Sequence, residues 1–488
     1  MAIELSNLTF TDEDDIVPVS GIEEIFNTGI ANTLGGNDSI TGNARYSISG
    51  GTNGVYNSGT LNTDDGNDII TGISSLGSLG DVWWENRDPE LGIGIYNRIG
   101  TIETGNGNDI ITGIGPIGGI QSLSGTINTG DDNDTITGTA TRYSPDMSRV
   151  FGGILMADST LDTGKGNDVI KGTLLNGNFG NGLLNGNRST ITTGDGNDII
   201  IGEHDRGGAA ISNDGLMDTG NGNDSISGTN TDVDYGGLGL YNSKDITTGD
   251  GDDYISGTSY FHGISNSGII NTGNDADNIF GSSVYGDGIS NSGIINTGNG
   301  PDFMWSSGDL YNTGNVFLGE GNDSLNAQSG DSIRNSNFIG TGDGNDIITA
   351  YVIYNDGVIE TGNGDDSILG YSIYNNGGAI NMGDGNDSIN AMRDFESGSN
   401  SSGAWFLGEG DDYIQGYGSG DFYGGSGNDT LELNSGPYTV GIWGSGGESV
   451  IFTKGNQLMI TSEFEKLKAG NILYDFTSLT AGQIITVA

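Results

Sequence analysis

Along most of the chain an aliphatic side chain recurs at a fixed distance from an aspartate. The stretch "TGNGNDIITG" (104–113) shows the unit, and "TGKGNDVIKG" at 163, "TGDGNDIIIG" at 193, "TGNGNDSISG" at 219 and "TGDGNDIITA" at 341 repeat it. The aspartates of the copies are Asp38, Asp68, Asp109, Asp134, Asp168, Asp198, Asp224, Asp253, Asp277, Asp302, Asp323, Asp346, Asp366, Asp387, Asp412 and Asp429, sixteen in all. Two residues after every one stands an apolar residue, from Ile40, Ile70 and Ile111 to the variants Met304, Leu325 and Leu431. Strand side chains alternate between faces, so this spacing predicts a ladder facing inward. Later copies step by 21, 23, 20, 21 and 25 residues, while earlier ones stretch to 30, 41 and 34. A unit of about 20 residues with insertions is the mark of a solenoid.

Between the copies lies a looser motif, aliphatic-x-Asn-x-Gly-x-aliphatic, as in "VYNSGTL" (55–61), "ISNSGII" (264–270 and 289–295) and "VIYNDGVI" (352–359). Its asparagines include Asn57, Asn97, Asn213, Asn242, Asn266, Asn291, Asn312, Asn335, Asn355 and Asn375. Asn and Gly tolerate a left-handed backbone and mark bends, and the flanking aliphatic residues mark short strands. One coil then reads as strand, Asn-Gly bend, strand, acidic Gly-rich turn. The asparagines are expected to stack and satisfy one another. The predicted fold is all-β, an elongated parallel β-helix or β-roll solenoid of about sixteen coils with capped ends. At ~4.8 Å per coil it makes a rod of roughly 75 Å.

Composition narrows the chemistry. The 488 residues hold 92 glycines and 6 prolines, which excludes a collagen-like or proline-rich chain. The formal charge is −50, from 65 acids against 15 bases. Such a balance opposes compaction unless cations offset it, and it excludes nucleic acid as a partner, since phosphate binding needs clustered bases. The absence of cysteine removes disulfides and thiolate metal sites. No basic and apolar leader opens the sequence, and no apolar run approaches the ~20 residues of a membrane span.

The acids fall at fixed positions in turns rich in glycine. Calcium takes six to eight hard oxygens, from carboxylates and carbonyls, at roughly 2.3–2.6 Å. Glycine lets a backbone turn sharply and expose its carbonyls. Stacked turns place one aspartate over another, which is repulsive unless a cation intervenes. The register T-G-x-G-N-D-x-I-x matches G-G-x-G-x-D-x-U-x except at its first position, where Thr, Leu or Met usually replaces glycine. In this the chain resembles the RTX (hemolysin-type) calcium-binding repeat proteins.

The resemblance implies Ca²⁺ held by main-chain carbonyls and the aspartate of each turn, with the apolar residue packed inside. Carried over copy by copy, the metal positions are Gly105, Gly107 and Asp109; Gly164, Gly166 and Asp168; Gly194, Gly196 and Asp198; Gly220, Gly222 and Asp224; Gly249, Gly251 and Asp253; Gly319, Gly321 and Asp323; Gly342, Gly344 and Asp346; Gly362, Gly364 and Asp366; Gly383, Gly385 and Asp387; Gly408, Gly410 and Asp412; and Gly425, Gly427 and Asp429. Asp38, Asp68, Asp134, Asp277 and Asp302 join them from less regular copies. The family normally sets two nonapeptides in each coil. This chain keeps one, so metal is expected in single file, except near 407–433 where Asp421 is a candidate ligand on the opposite edge. Sixteen turns leave at most fifteen gaps, and filling them would bring the charge from −50 to about −20. Leu34, Asp64, Asp132 and Asp275 replace glycines, and Pro301 precedes Asp302. These departures put local metal occupancy in question. A metal-free Asn/Asp ladder is the alternative.

Three segments follow: an N-terminal cap over 1–32, repeats over 33–433 with insertions near 73–94 and 139–160, and a strand-rich end over 434–488. Asp12, Glu13, Asp14 and Asp15 in the first read as a solvated acidic loop. The last, with "FEKL" and "YDFTSLTAG", is similar to the segment after RTX arrays that carries an uncleaved type I secretion signal. The expected role is a secreted or cell-surface calcium-binding solenoid that folds on taking up Ca²⁺. Two other readings stay open. One is a lyase or epimerase acting on acidic or neutral polysaccharide, with "DVWWENRDPELG" (81–92), "TRYSPDMSRVFG" (141–152) and His204 beside Asp205 and Arg206 as places to look. The other is self-assembly into a surface layer or filament.

Overall fold

A computed structural model describes residues 2–18, 23–46, 53–76, 92–141, 152–177, 180–234, 236–328, 330–396, 403–444 and 449–488. Strands fill it, and the helical residues are two single turns, Leu5–Asn7 and Phe476–Ser478. The chain divides into two compact units, Met1–Gly273 with Phe280–Gly286, and Asn274–Ile279 with Asp287–Ala488.

In the first unit one coil consists of Ile110–Gly115, Gly118–Leu123 and Thr126–Asn128, followed by the acidic turn. Each strand pairs in parallel with its counterpart one coil on, and like residues face like: Ile111 with Ile136, Gly113 with Gly138, Ile127 with Leu161. Each strand therefore sends one apolar column inward. Ile111, Ile136 and Ile170 form the first, Ile120, Ile154 and Leu183 the second, Ile102, Ile127 and Leu161 the third, all without solvent exposure. The coil thus has three strands where the sequence pattern led us to expect two.

A seam of glycines makes the extra bend. A Cβ on Gly113 would lie 2.2 Å from the Gly119 carbonyl oxygen, and one on Gly138 would lie 2.2 Å from that of Gly153. The first two strands meet backbone to backbone there, with no room for a side chain. The chain between those two strands is also where coil length varies, as between Leu174 and Asn181 and between Asn230 and Leu238. Residues 77–91 and 142–151, which hold most of the two long insertions, lie outside the described residues.

In the second unit the two strands run on as one, in Ile347–Asn355 and Ser367–Asn375. Its columns are Leu325, Ile348 and Ile368; Ile333, Ile353 and Ile373; and Ile339, Ile359 and Ile380, all fully buried. Toward its end aromatic rings take over the core, with Trp405 stacked on Phe422 at 5.3 Å. Beyond them Gly436–Trp443, Ser449–Lys454 and Gln457–Ser462 form antiparallel pairs, and the last also lies parallel on Gly420–Ser426.

The asparagines stack as expected. Asn213 Nδ2 donates to Asn242 Oδ1 at 2.8 Å and to the Asp245 carbonyl at 3.0 Å, and Asn335 Nδ2 donates to Asn355 Oδ1 at 2.9 Å and to the Val358 carbonyl at 2.8 Å. Ser122 and Met156 interrupt this column between Asn97 and Asn185. Asn27 and Asn185, each the first of a run in this unit, accordingly have an Oδ1 with no donor.

Candidate metal centre

Each acidic turn needs backbone that L-residues avoid, and its glycines supply it: φ is 87° at Gly105, 132° at Gly107, 100° at Gly342 and 144° at Gly344. Leu34, Asp64, Asp132 and Asp275 adopt the same region, with φ of 72°, 58°, 90° and 85°. The irregular copies therefore keep the turn at the expense of local strain. Glycine is also required by contact, since a Cβ on Gly107 would lie 1.7 Å from the Gly66 carbonyl oxygen in the turn below. Successive turns sit directly over one another, and Gly107 N donates to the Asp131 carbonyl at 3.0 Å.

This stacking turns the aspartates into a file inside each unit. Asp38 N donates to Asp68 Oδ1 at 2.7 Å, Asp68 N to Asp109 Oδ1 at 2.7 Å, and the same bond continues at 2.8 Å through Asp134, Asp168, Asp198, Asp224 and Asp253. In the second unit it runs from Asp277 through Asp302, Asp323, Asp346, Asp366, Asp387 and Asp412 to Asp429, at 2.8 or 2.9 Å. Every one of these residues is at most 2% exposed.

Only one carboxylate oxygen is used. Oδ2 has no hydrogen-bond partner at Asp38, Asp68, Asp109, Asp134, Asp168, Asp198 and Asp224, nor at Asp302, Asp323, Asp346, Asp366, Asp387, Asp412 and Asp429. A buried, partnerless charged oxygen costs several kcal/mol, and a whole column of them calls for a cation or protons. Burial raises these acids, and neighbouring carboxylates add to it. Asp68 and Asp198 reach about 6, Asp109 and Asp302 about 7, and Asp134 and Asp224 about 8. A buried threonine hydroxyl, such as Thr104 beside Asp109, offsets part of the rise.

The donor set suits a hard divalent cation. Among the described residues no three His, Cys, Asp or Glu side chains converge on one point. The oxygens come instead from one orphaned carboxylate per turn and the carbonyls stacked beside it, and calcium accepts such ligands. Asp421 stands elsewhere, in the strand Gly420–Ser426, between Ala404 and Ile460 in its column, with no second acid above or below.

Two features escaped sequence reasoning. The acidic segment 12–15, read as a solvated loop, stacks as a turn of its own: Asp15 N donates to Asp38 Oδ1 at 2.7 Å, and Ser39 N donates to the Asp15 carbonyl at 2.8 Å. The signal was present, because Val17 stands two residues after Asp15 and is buried, but the missing glycines hid it. At the other end Asp429 N donates to Glu465 Oε2 at 2.8 Å, so a glutamate from "FEKL" takes the place of the next aspartate.

His204 is fully buried at its side chain. Its Nε2 lies 2.9 Å from the Gly207 carbonyl, and Nδ1 accepts from Asp205 N at 2.9 Å and Arg206 N at 3.3 Å. Burial lowers its pKa, and both ring nitrogens are engaged in holding a bend. Of the two aromatic insertions, residues 81–91 and 142–151 lie outside the described residues.

No protein-family model matches the chain, and no curated protein matches it. Among solved structures, the crystal structure of a hyperactive, Ca²⁺-dependent, β-helical antifreeze protein from an Antarctic bacterium is 20% identical, with a TM-score of 0.38, over 78% of this chain and 83% of that one. Among the described residues no helix is long and apolar enough to cross a membrane.

Proposed function

We propose that this protein is a calcium-binding β-solenoid whose folding is coupled to metal uptake, with a structural or interaction role outside the cell or at its surface. The observation that carries the reading is the file of buried aspartates, in which the Oδ2 atoms of Asp38 to Asp224 and of Asp302 to Asp429 have no hydrogen-bond partner. Carboxylates one strand spacing apart, ~4.8 Å, repel by about 3 kcal/mol at an effective dielectric near 20. Bound calcium supplies positive charge between turns and removes that penalty. The aspartates orient one oxygen by the inter-coil N–H bond and present the other, while the glycines let turns approach closely enough to share an ion. Metal-binding free energy then becomes folding free energy. At low cytosolic calcium the chain stays unfolded and competent for export, and the calcium outside folds it. The segments 1–32 and 434–488 close the ends of the array, and the latter carries the export signal.

Nothing favours the enzyme reading at His204, since its ring is enclosed and hydrogen-bonded on both nitrogens. The test is a calcium titration of metal-stripped protein followed by far-UV circular dichroism. A transition from disordered to β on adding Ca²⁺ is expected. A chain equally folded and heat-resistant in excess EGTA at neutral pH would sink the idea.

A further inference from the structure

We propose that Tyr260 and Tyr285 form an oxidative cross-linking site, at which a one-electron oxidant joins their rings as dityrosine. The site requires the coils to be folded and takes no part in calcium binding, so it goes beyond the calcium reading.

The two tyrosines sit on neighbouring coils of the first unit, at the bend between the first and second strands. Tyr260 lies between Tyr254–Thr258 and His262–Asn266, and Tyr285 lies one coil on, in the segment Phe280–Gly286. The backbone locks these bends together. Tyr285 N donates to the Tyr260 carbonyl at 3.1 Å, and Ser283 Oγ donates to the Phe261 carbonyl at 2.8 Å. A Cβ on Gly286 would lie 1.9 Å from the Phe261 carbonyl oxygen, so the two chains touch there. Ser259 Oγ accepts from Phe261 N at 3.1 Å and from His262 N at 2.8 Å, which sets the first bend.

These contacts bring the phenol ends of the two rings together. The ring centroids are 4.8 Å apart, the planes cross at 79°, and the hydroxyl oxygens lie 3.4 Å apart. Aromatic pairs rarely approach below ~4.5 Å, so these rings are close to contact. A biaryl bond between the carbons ortho to two hydroxyls asks for this disposition, with rings side by side, planes turned and oxygens near each other. Tyr285 is 72% exposed and Val284 beside it 63%, so an oxidant reaches the pair from water.

Other tyrosine pairs lack one of these conditions. Tyr351 and Tyr371 stack face to face at 4.9 Å with 4° between planes, which sets no ring edge against another. Tyr354 and Tyr374 also stack, at 19°, and the Arg334 guanidinium 4.5 Å over Tyr354 opposes loss of an electron. Tyr96, at 5.7 Å from Tyr56, is buried.

In the coupling each phenol gives up one electron and one proton, leaving two tyrosyl radicals. Their ortho carbons form one C–C bond, and the hydrogen on each of those carbons moves to its phenol oxygen. The net loss is two hydrogen atoms, which through a peroxidase reduce one hydrogen peroxide to two waters. Held in contact, the pair couples within one chain before two chains meet. The product ties residues 25 apart in a chain without cysteine, where no disulfide can restrict the unfolded state.

The test is oxidation of the full-length protein by peroxidase and limiting hydrogen peroxide, in a buffer where far-UV circular dichroism shows it folded. Dityrosine fluorescence should appear at monomer size, and peptide mapping should find Tyr260 joined to Tyr285. Tyr285→Phe, with an unchanged dichroism spectrum, should lower that fluorescence about tenfold, whereas Tyr371→Phe should leave it within about twofold. Dityrosine confined to dimers, or mapped to other pairs while Tyr260 and Tyr285 stay unlinked, overturns the assignment, and so does its absence from the folded protein. The same product in EGTA, from a chain that remains folded there, supports this site while removing the calcium reading.

Discussion

Without metal, this protein should be more stable in weak acid than at neutral pH, the reverse of ordinary acid denaturation. The twelve file aspartates whose values are resolved rise from 3.8 to between about 6 and about 8 in the folded state. A raised folded value means that between pH 4 and 8 the native state holds protons the unfolded chain has released. Stability is then full below pH 4 and falls as pH climbs through 6, 7 and 8. A rise of about three units is worth about 4 kcal/mol, and screening by water and salt at the turn surface reduces it to about 2 kcal/mol per rung. Neighbouring rungs share part of each rise, so the losses do not simply add, but a few rungs together already reach the 5–15 kcal/mol that holds a typical domain together. The assay is thermal melting from pH 4.5 to 8 in metal-stripped buffer and again in millimolar Ca²⁺. The melting temperature should fall steadily with pH in the first series and stay nearly flat between pH 6.5 and 8 in the second. A metal-free melting temperature that rises toward pH 8 would refute the argument.

Asp198→Asn should act with opposite signs. It removes one like charge and keeps the Oδ1 acceptor, so it should stabilise the metal-free protein at pH 8 by about 2 kcal/mol and weaken calcium uptake in isothermal titration. Asn335→Ala strips a donor from Asn355 Oδ1 and an acceptor from Asn337 N, which now lies 3.2 Å from Asn335 Oδ1, so urea unfolding in saturating calcium should show a loss of about 2–5 kcal/mol. Gly113→Ala puts a methyl 2.2 Å from the Gly119 carbonyl, and a backbone neighbour cannot rotate away. A loss of about 1–3 kcal/mol, with faster amide exchange in 110–123, is expected. His204 is buried with a lowered pKa, so the calcium-loaded protein should lose stability as pH falls below about 6.5, and His204→Gln should flatten that limb in acid melts.

Much of this architecture was legible because each coil repeats the same demand at the same position. The aspartate-to-isoleucine spacing gave the inward ladder, and Ile111, Ile200 and Ile348 are indeed fully buried. The asparagine motif gave the stacked amides for the same reason. The glycine seam was written just as regularly, four residues after the aspartate at Gly42, Gly72, Gly113 and Gly138. Neither motif drawn from the sequence includes it, because glycine's use in close packing looks the same in sequence as its use in bending. The ends were harder still. Asp15 and Glu465 do the work of a repeat aspartate without its glycines, and the hydrogen bonds from Asp15 N and Asp429 N identify them. His204 drew attention as a rare residue, whereas its burial is a property of the bend that encloses it.

The inter-coil bond from each aspartate N–H to the next carboxylate has a consequence for how such a chain can change over generations. A rung asks of its neighbour only an oxygen at one place, and every other rung supplies the same oxygen. Recombination that deletes or duplicates a whole coil joins two rungs that already fit, so the gene can lengthen or shorten the array without redesigning a contact. Loss of part of a coil has no such remedy, because it throws glycine, aspartate and isoleucine out of register together. The two acids that finish the file, Asp15 and Glu465, are the components that such shuffling has to spare.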